Sequence, residues 1–223
     1  MMKINNIESF QYITNQWSAL SIIDQTEIVC SRGCKWVQLR IKDTNIEEWK
    51  DMALSVKSIC KKYNAKFIIN DNVQLAKEVE ADGVHLGMND LSPELAREIL
   101  GSDAIIGGTA NNFDQIQTLY KQKVDYIGLG PFRFTSTKKN LALILGIEGY
   151  KEIIKECENY NINIPIIGIG GITPNDISLI LETGVYGIAA SSIICNSSSP
   201  VEITNEIINK IKSYINATIK NSR

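Results

Sequence analysis

A chain of 223 residues, 44% hydrophobic and 22% charged with 15 glycines and only 5 prolines, is sized for one generous domain that needs no disulfide or metal staple. Its 23 basic and 25 acidic side chains leave a net charge of -2, too balanced for the positive field that nucleic acid as a bulk partner requires. No apolar run approaches the ~18 residues of a membrane span, and the start, MMKINNIESF, lacks a signal-peptide apolar core, so the expected setting is cytoplasmic and away from membranes.

Along the chain, short Ile- and Val-rich runs ending in Gly, Asn or Asp alternate with longer stretches of helical period. The runs predict strands at Phe10–Thr14, Trp36–Arg40, Lys66–Asn70, Gly83–Leu86, Ile105–Thr109, Tyr126–Gly130, Ile164–Ile169 and Gly187–Ala190. A first helix is expected around Trp17–Gly33, and a second over Ile46–Tyr63 with Trp49, Ala53, Val56 and Cys60 on one face. Ser92-Pro93 reads as an N-cap and first helical residue for Ser92–Leu100, and Pro174 opens another helix to Thr183. The last helix carries Ile203, Ile207, Ile211, Ile215 and Ile219 at spacing four. Eight β–α units of about 28 residues each match a single-domain (β/α)₈ TIM barrel over residues 1–223. The rival, an open doubly wound sheet, would carry a glycine-rich turn after its first strand, where this chain has Ile13-Thr14-Asn15-Gln16-Trp17. The apolar helix faces would serve a barrel shell or a homo-oligomer interface equally well.

Cysteine is odd in number, and Cys30, Cys34, Cys60, Cys157 and Cys195 read as packed thiols in a reducing compartment. Cys30 and Cys34 are four apart in a helical stretch, but tetrahedral zinc needs two further ligands and the chain has one histidine. That residue, His85 in Gly83–Gly87, reads first as a hydrogen-bonded histidine at a strand end.

In such a barrel the chemistry gathers where strands end. Strand two runs into Gln38, Arg40 and Lys42, which alternation sends to one side. Strand three ends in Asn70-Asp71, strand four leads to Asp90, strand five to Thr109, and strand six to Thr135-Ser136-Thr137-Lys138. Strand seven gives Gly170-Gly171 and strand eight Ser191-Ser192. Asp71 and Asp90 each precede a helix and could be N-caps alone. Two carboxylates at one end beside Arg40, Lys42 and Lys138 also suit Mg²⁺ carrying a polyphosphate. Gly170-Gly171 could merely relieve a tight turn, or present amides to an anion at the helix start that follows. The combination of a metal, one polyphosphate and a second phosphate near strands seven and eight suggests a two-substrate transfer with pyrophosphate leaving.

From about Tyr12 to Ile194 the motifs resemble the thiamine phosphate synthase family: Gln38–Lys42, Ile69–Asp71, Gly83–Gly87 with Asp90 following, Tyr126–Pro131, Thr135–Lys138 and Ile169–Ile172. The resemblance implies joining of a hydroxymethylpyrimidine diphosphate to a thiazole monophosphate, releasing pyrophosphate. It assigns Gln38, Arg40, Lys42, Asn70, Thr109 and Lys138 to the pyrimidine diphosphate, and Asp71 and Asp90 to Mg²⁺. Thr135, Thr137, Gly171, Ser191 and Ser192 fall to the thiazole phosphate. Arg40, Lys42 and Lys138 would stabilise the departing pyrophosphate, with no protein nucleophile required. Three positions depart from the family pattern: Thr109 where serine is usual, Ile41 where an acid is common, and the bulky, basic Phe132-Arg133-Phe134. A thiazole tautomerase-like relative is the nearest rival, but its acid–base histidine would follow strand five, where this chain has Asn111. A non-catalytic thiazole-phosphate-binding protein is the rival from another class.

Overall fold

In the computed structural model, which describes residues 7–134 and 143–221, eight parallel strands close into a barrel in sequence order, the first pairing with both the second and the eighth. They are β1 (Phe10–Ile13), β2 (Trp36–Leu39), β3 (Lys66–Asn70), β4 (Gly83–Leu86), β5 (Ile105–Ala110), β6 (Tyr126–Leu129), β7 (Ile166–Gly168) and β8 (Gly187–Ala190). The expected eight are present, and three of them, β3, β4 and β8, have the predicted bounds. β7 starts two residues late, because Pro165 has no N–H to give a ladder, although its carbonyl still accepts from Ile127 at 2.9 Å. Among the described residues no helix is long and apolar enough to cross a membrane.

The helices are α1 (Ile22–Ser31), α2 (Ile46–Lys62), α3 (Val73–Glu78), α4 (Pro93–Leu100), α5 (Phe113–Lys121), α6 (Gly146–Asn159), α7 (Ile177–Glu182), α8 (Ser192–Cys195) and α9 (Pro200–Asn221). Side-chain oxygens of Ser21, Asn45, Asn72, Ser92 and Asn112 accept an N–H in the first turn of the helices they precede, so each of α1 to α5 begins where the sequence supplies an acceptor. α1 starts later than expected because Trp17–Leu20 forms a turn, and Cys34 lies beyond its end. Cys34 donates to the Trp36 carbonyl, and all five thiols are buried and free. The isoleucine stripe of α9 also differs from a simple reading. A spacing of four overshoots the 3.6-residue turn by about 40° per step, so Ile207 and Ile211 are buried while Ile215 and Ile219 have rotated into solvent.

Strand alternation splits the core in two. Outward residues such as Val37, Leu39, Phe67 and Ile69 pack under the helices in the larger cluster. Inward residues Ile13, Trp36, Ile68, Ile105, Tyr126, Ile167 and Ala189 form a smaller cluster inside the barrel. Gly107 makes room there for the Tyr126 ring: a β-carbon on it would lie 2.2 Å from the ring carbon that bears the hydroxyl. Above this plug the inward positions turn polar.

Candidate active site

The inward residues nearest the C-terminal strand ends open into one cavity of about 480 Å³. Gln38, Asn70, His85 and Thr109 line its floor. Beneath and between them a buried polar chain crosses the barrel. Gln38 donates to Gln11 at 3.3 Å, and Gln11 donates to the Tyr126 hydroxyl at 3.2 Å. That hydroxyl lies 3.0 Å from His85 Nδ1, and His85 Nε2 lies 2.9 Å from Thr109 Oγ1. The expectation of a hydrogen-bonded histidine holds, with the addition that it faces the cavity. Burial pushes the Tyr126 hydroxyl up, keeping it neutral. Thr109 spends its hydroxyl on this chain, which accounts for what an alcohol does at that position.

One wall carries the charges. Arg40, Lys42, Asp71 and Asp90 all line it. β2 has ended by Arg40, yet the register continues through side chains of the β1–α1 loop. Thr14 N–H donates to Gln38 O at 3.0 Å, Arg40 N–H donates to Thr14 Oγ1 at 3.0 Å, and Gln16 then spans Lys42 with both ends of its amide. Its Nε2 donates to Lys42 O at 2.7 Å and its Oε1 accepts the Lys42 N–H. Thr14 and Gln16 thus act as a surrogate strand that aims Arg40 and Lys42 inward. Trp17 lies against the Arg40 guanidinium, whose carbon is 5.8 Å from the ring centroid.

Asp71 stands in the left-handed region at φ 64°, unusual for a residue with a side chain. Its N–H continues the β3–β4 ladder to His85 O at 2.8 Å, and the turn swings its carboxylate onto Lys42 Nζ. It is not a helix cap, and neither is Asp90, because Asn72 and Ser92 take those places. Asp90 Oδ2 instead accepts the Gly87 N–H at 2.7 Å. Burial raises the Asp90 carboxyl above its ordinary value, and the adjoining Asp71 carboxyl raises it further against the pull of Gly87 and Lys42. Two carboxyls thus share one wall of the cavity with two cations, Arg40 and Lys42. Burial also lowers the Arg40 guanidinium, an effect that Asp71 opposes.

Across the barrel the wall is made of Gly170, Gly171, Ser191 and Ser192. Gly170 and Gly171 both have positive φ, 94° and 68°, which glycine adopts without strain. Among the described residues no acceptor takes the N–H of Gly170, Gly171 or Ile172, and Ser191 Oγ is buried without a partner. Such orphaned donors in a polar cavity are what a bound anion satisfies. Asp176 in the 3₁₀ turn Pro174–Asp176 takes the Thr173 N–H at 2.8 Å, leaving the two glycines and Ile172 as the amides available on this wall among the described residues. Thr135, Thr137 and Lys138 lie outside the described residues. Asn111 ties its side chain to the Gly130 carbonyl. Sequence reading missed Thr14, Gln16, Trp17 and Gln11. Gln11 has the inward parity of Ile13 and Gln38 and so carried a signal; Thr14, one step past the end of β1 and of opposite parity, and Gln16 and Trp17 in the loop carried none.

A closed barrel whose C-terminal strand ends gather paired cations and carboxylates opposite a wall of glycine amides and serine hydroxyls has the architecture of a (β/α)₈ enzyme site. The model of the thiamine monophosphate synthase family matches residues 10–194. The thiamine-phosphate synthase of Phocaeicola vulgatus is 48% identical over 199 residues, covering 89% of this chain and 96% of that protein. That of Bacteroides thetaiotaomicron is 46% identical over 201 residues, covering 90% and 96%. The solved thiamine phosphate pyrophosphorylase of Pyrococcus furiosus superposes with a TM-score of 0.82 at 27% identity, covering 92% of this chain and 96% of that one. The chain belongs to the thiamine monophosphate synthase family, and is an enzyme, a transferase of thiamine biosynthesis.

Proposed function

We propose that the enzyme joins 4-amino-2-methyl-5-hydroxymethylpyrimidine diphosphate to hydroxyethylthiazole phosphate, giving thiamine phosphate and pyrophosphate. The observation that carries the reading is a single cavity in which a charged wall of Arg40, Lys42, Asp71 and Asp90 faces a wall where Gly170 N–H, Gly171 N–H and Ser191 Oγ have no partner among the described residues. Each wall suits one phosphate-bearing substrate, and the amide-lined floor suits the pyrimidine ring between them. Gln38, Asn70 and Thr109 would hold that ring and the first phosphate. Gly171, Ser191 and Ser192, with Thr135 and Thr137, would anchor the thiazole phosphate.

Asp71 and Asp90 fit Mg²⁺. That ion is commonly held by one or two carboxylates, with waters and phosphate oxygens completing its octahedron, and Asp71 and Asp90 supply two oxygen-bearing side chains on one wall of the cavity. When bound, Mg²⁺ would neutralise charge on the diphosphate oxygens. Arg40, Lys42 and Lys138 would bind the remaining oxygens and stabilise the pyrophosphate as the carbon–oxygen bond breaks and its electron pair departs. The aminopyrimidine delocalises the methylene cation, and the thiazole nitrogen, oriented by its anchored phosphate, supplies the new bond. The side chains contribute position and fixed charge without taking up a proton. The proposed setting is cytoplasmic, in keeping with five free thiols.

The test is incubation of the purified enzyme with both substrates, with and without Mg²⁺, assaying thiamine phosphate. Mg²⁺-dependent product that falls at least a hundredfold in Asp71→Ala and Asp90→Ala supports the assignment. Folded wild-type protein that binds the thiazole phosphate and forms no product would overturn it.

A further inference from the structure

The loop after β7 leans on the loop after β6, and every carbonyl along the contact is occupied. Phe132 N–H donates to Ile169 O at 2.8 Å, Arg133 N–H to Gly170 O at 2.9 Å, and Arg133 Nη1 to Gly171 O at 2.8 Å. Three successive carbonyls are thus turned toward residues 132–133. Gly171 is packed against that segment, since a β-carbon on it would lie 2.9 Å from both Arg133 Cβ and the Phe134 carbonyl. The other half of the contact is a fork: Arg133 Nη1 and Nη2 donate to Asp176 Oδ2 and Oδ1 at 2.9 and 2.8 Å. Asp176 is held in turn, accepting from Thr173 N–H and Thr173 Oγ1 at 2.8 and 2.7 Å. The guanidinium holds the Asp176 carboxyl down at about 2, so the pair is charged throughout the working pH range.

We infer that Arg133 is a positioning residue: clamped on Asp176, its guanidinium fixes the Gly171 carbonyl outward and so turns the Ile172 amide, which shares that peptide plane, toward the cavity, where it completes an anion nest with the Gly170 and Gly171 amides. Backbone N–H groups of Phe132 and Arg133 already hold the two preceding peptide planes, but the Gly171–Ile172 plane follows two glycines at positive φ and has the Arg133 side chain as its tie. A bidentate guanidinium–carboxylate pair has the fixed geometry that such a tie requires. The orphaned Ser191 hydroxyl on the same wall is a second, independent sign that an anion completes this corner. Arg133 touches none of the substrate in this scheme and acts through the backbone.

The inference deepens the thiazole-phosphate assignment proposed above, so its test has a readout that does not depend on turnover. Inorganic phosphate is titrated into the wild type, Arg133→Met and Arg133→Lys while the amide resonances of Gly170, Gly171 and Ile172 are followed by NMR. In parallel, KM for each substrate is measured, and folding is checked by thermal melting. Arg133→Met is expected to weaken phosphate binding, with the largest loss of response at the Ile172 amide, and to raise KM for the thiazole phosphate roughly tenfold, with KM for the pyrimidine diphosphate within about twofold. Arg133→Lys, which keeps the charge and loses the fork, is expected to fall between the two. Phosphate affinity unchanged in a folded Arg133→Met would overturn the inference whether or not product forms. A wild type that binds phosphate at these amides and makes no product would instead refute only the proposed reaction.

Discussion

Gln16 offers the sharpest test of how the charged wall is built. Gln16→Met keeps the length of the side chain and removes both hydrogen bonds to the Lys42 backbone, one of them measuring 2.7 Å. The Lys42 peptide is half-exposed, so water replaces what is lost, and each bond contributes about 0.5–1 kcal/mol net. A total of about 1–2 kcal/mol, felt where Lys42 must meet a departing diphosphate, lowers kcat/KM roughly 5- to 30-fold. Initial rates with the pyrimidine diphosphate varied at saturating thiazole phosphate measure this directly. The same substitution in a Lys42→Ala background should add little, because residues acting through one group are not additive. If Gln16→Met stays within twofold of wild type, or its effect is fully additive with Lys42→Ala, the surrogate-strand argument is wrong.

Tyr126→Phe should destabilise the fold by roughly 2–4 kcal/mol in urea titration, since Gln11 and His85 each lose a buried partner. Asp90→Asn should raise the melting temperature of the metal-free enzyme at neutral pH while weakening Mg²⁺ binding; a drop in melting temperature would contradict the reading. The sign follows from the raised Asp90 carboxyl: above its folded value the ionised form disfavours the native state, and that penalty is relieved as pH falls through it. Asp176 has the opposite sign, adding stability above about 3.8 that is lost only as pH falls toward about 2, so Asp176→Asn should leave the acid limb of the rate profile between pH 4 and 7 unmoved. Lys138→Ala should lower kcat about a hundredfold with little change in KM for the thiazole phosphate, as expected for a group that meets charge developing on the leaving group.

The barrel was legible because its strands announce themselves twice, by composition and by the Gly, Asn or Asp that ends each one. Parity then named Gln38, Arg40 and Lys42 as sharing one side, while Asn70 and Thr109 came from their places at strand ends and from the family motifs, and all five line the cavity. What parity cannot give is the conformation beyond a strand end. Asp71 looked as much like a helix cap as a ligand, and only its left-handed backbone, with Asn72 taking the cap, separates the two. His85 was readable as buried and bonded but not as part of a floor, because its partners Tyr126 and Thr109 come from strands 41 and 24 residues away. Gln16 was invisible for a different reason: a loop glutamine has no periodicity, and its role depends on a backbone segment 26 residues later.

The same polar chain explains how two walls on opposite sides of a barrel keep their separation. Gln38, Gln11, Tyr126, His85 and Thr109 come from β2, β1, β6, β4 and β5, so one buried network ties together five of the eight strands at a single depth. Hydrogen bonds among neutral groups in a low-dielectric interior are strong and directional, and any shift of one strand along its axis would orphan a buried donor. The apolar plug beneath, with Trp36 edge-on to Tyr126 at 4.6 Å, resists compression but not sliding. Stability therefore comes mainly from the plug and the helix shell, while the register of the strand ends comes from the network. A reaction that depends on holding two anionic substrates apart by a fixed distance needs that register more than it needs additional stability. Substitutions at Gln11, Gln38 or Thr109 should accordingly change KM and kcat for both substrates together, those at Ile68 or Ile167 should change unfolding and leave the kinetics of the folded enzyme alone, and Tyr126, which belongs to both plug and network, should change both.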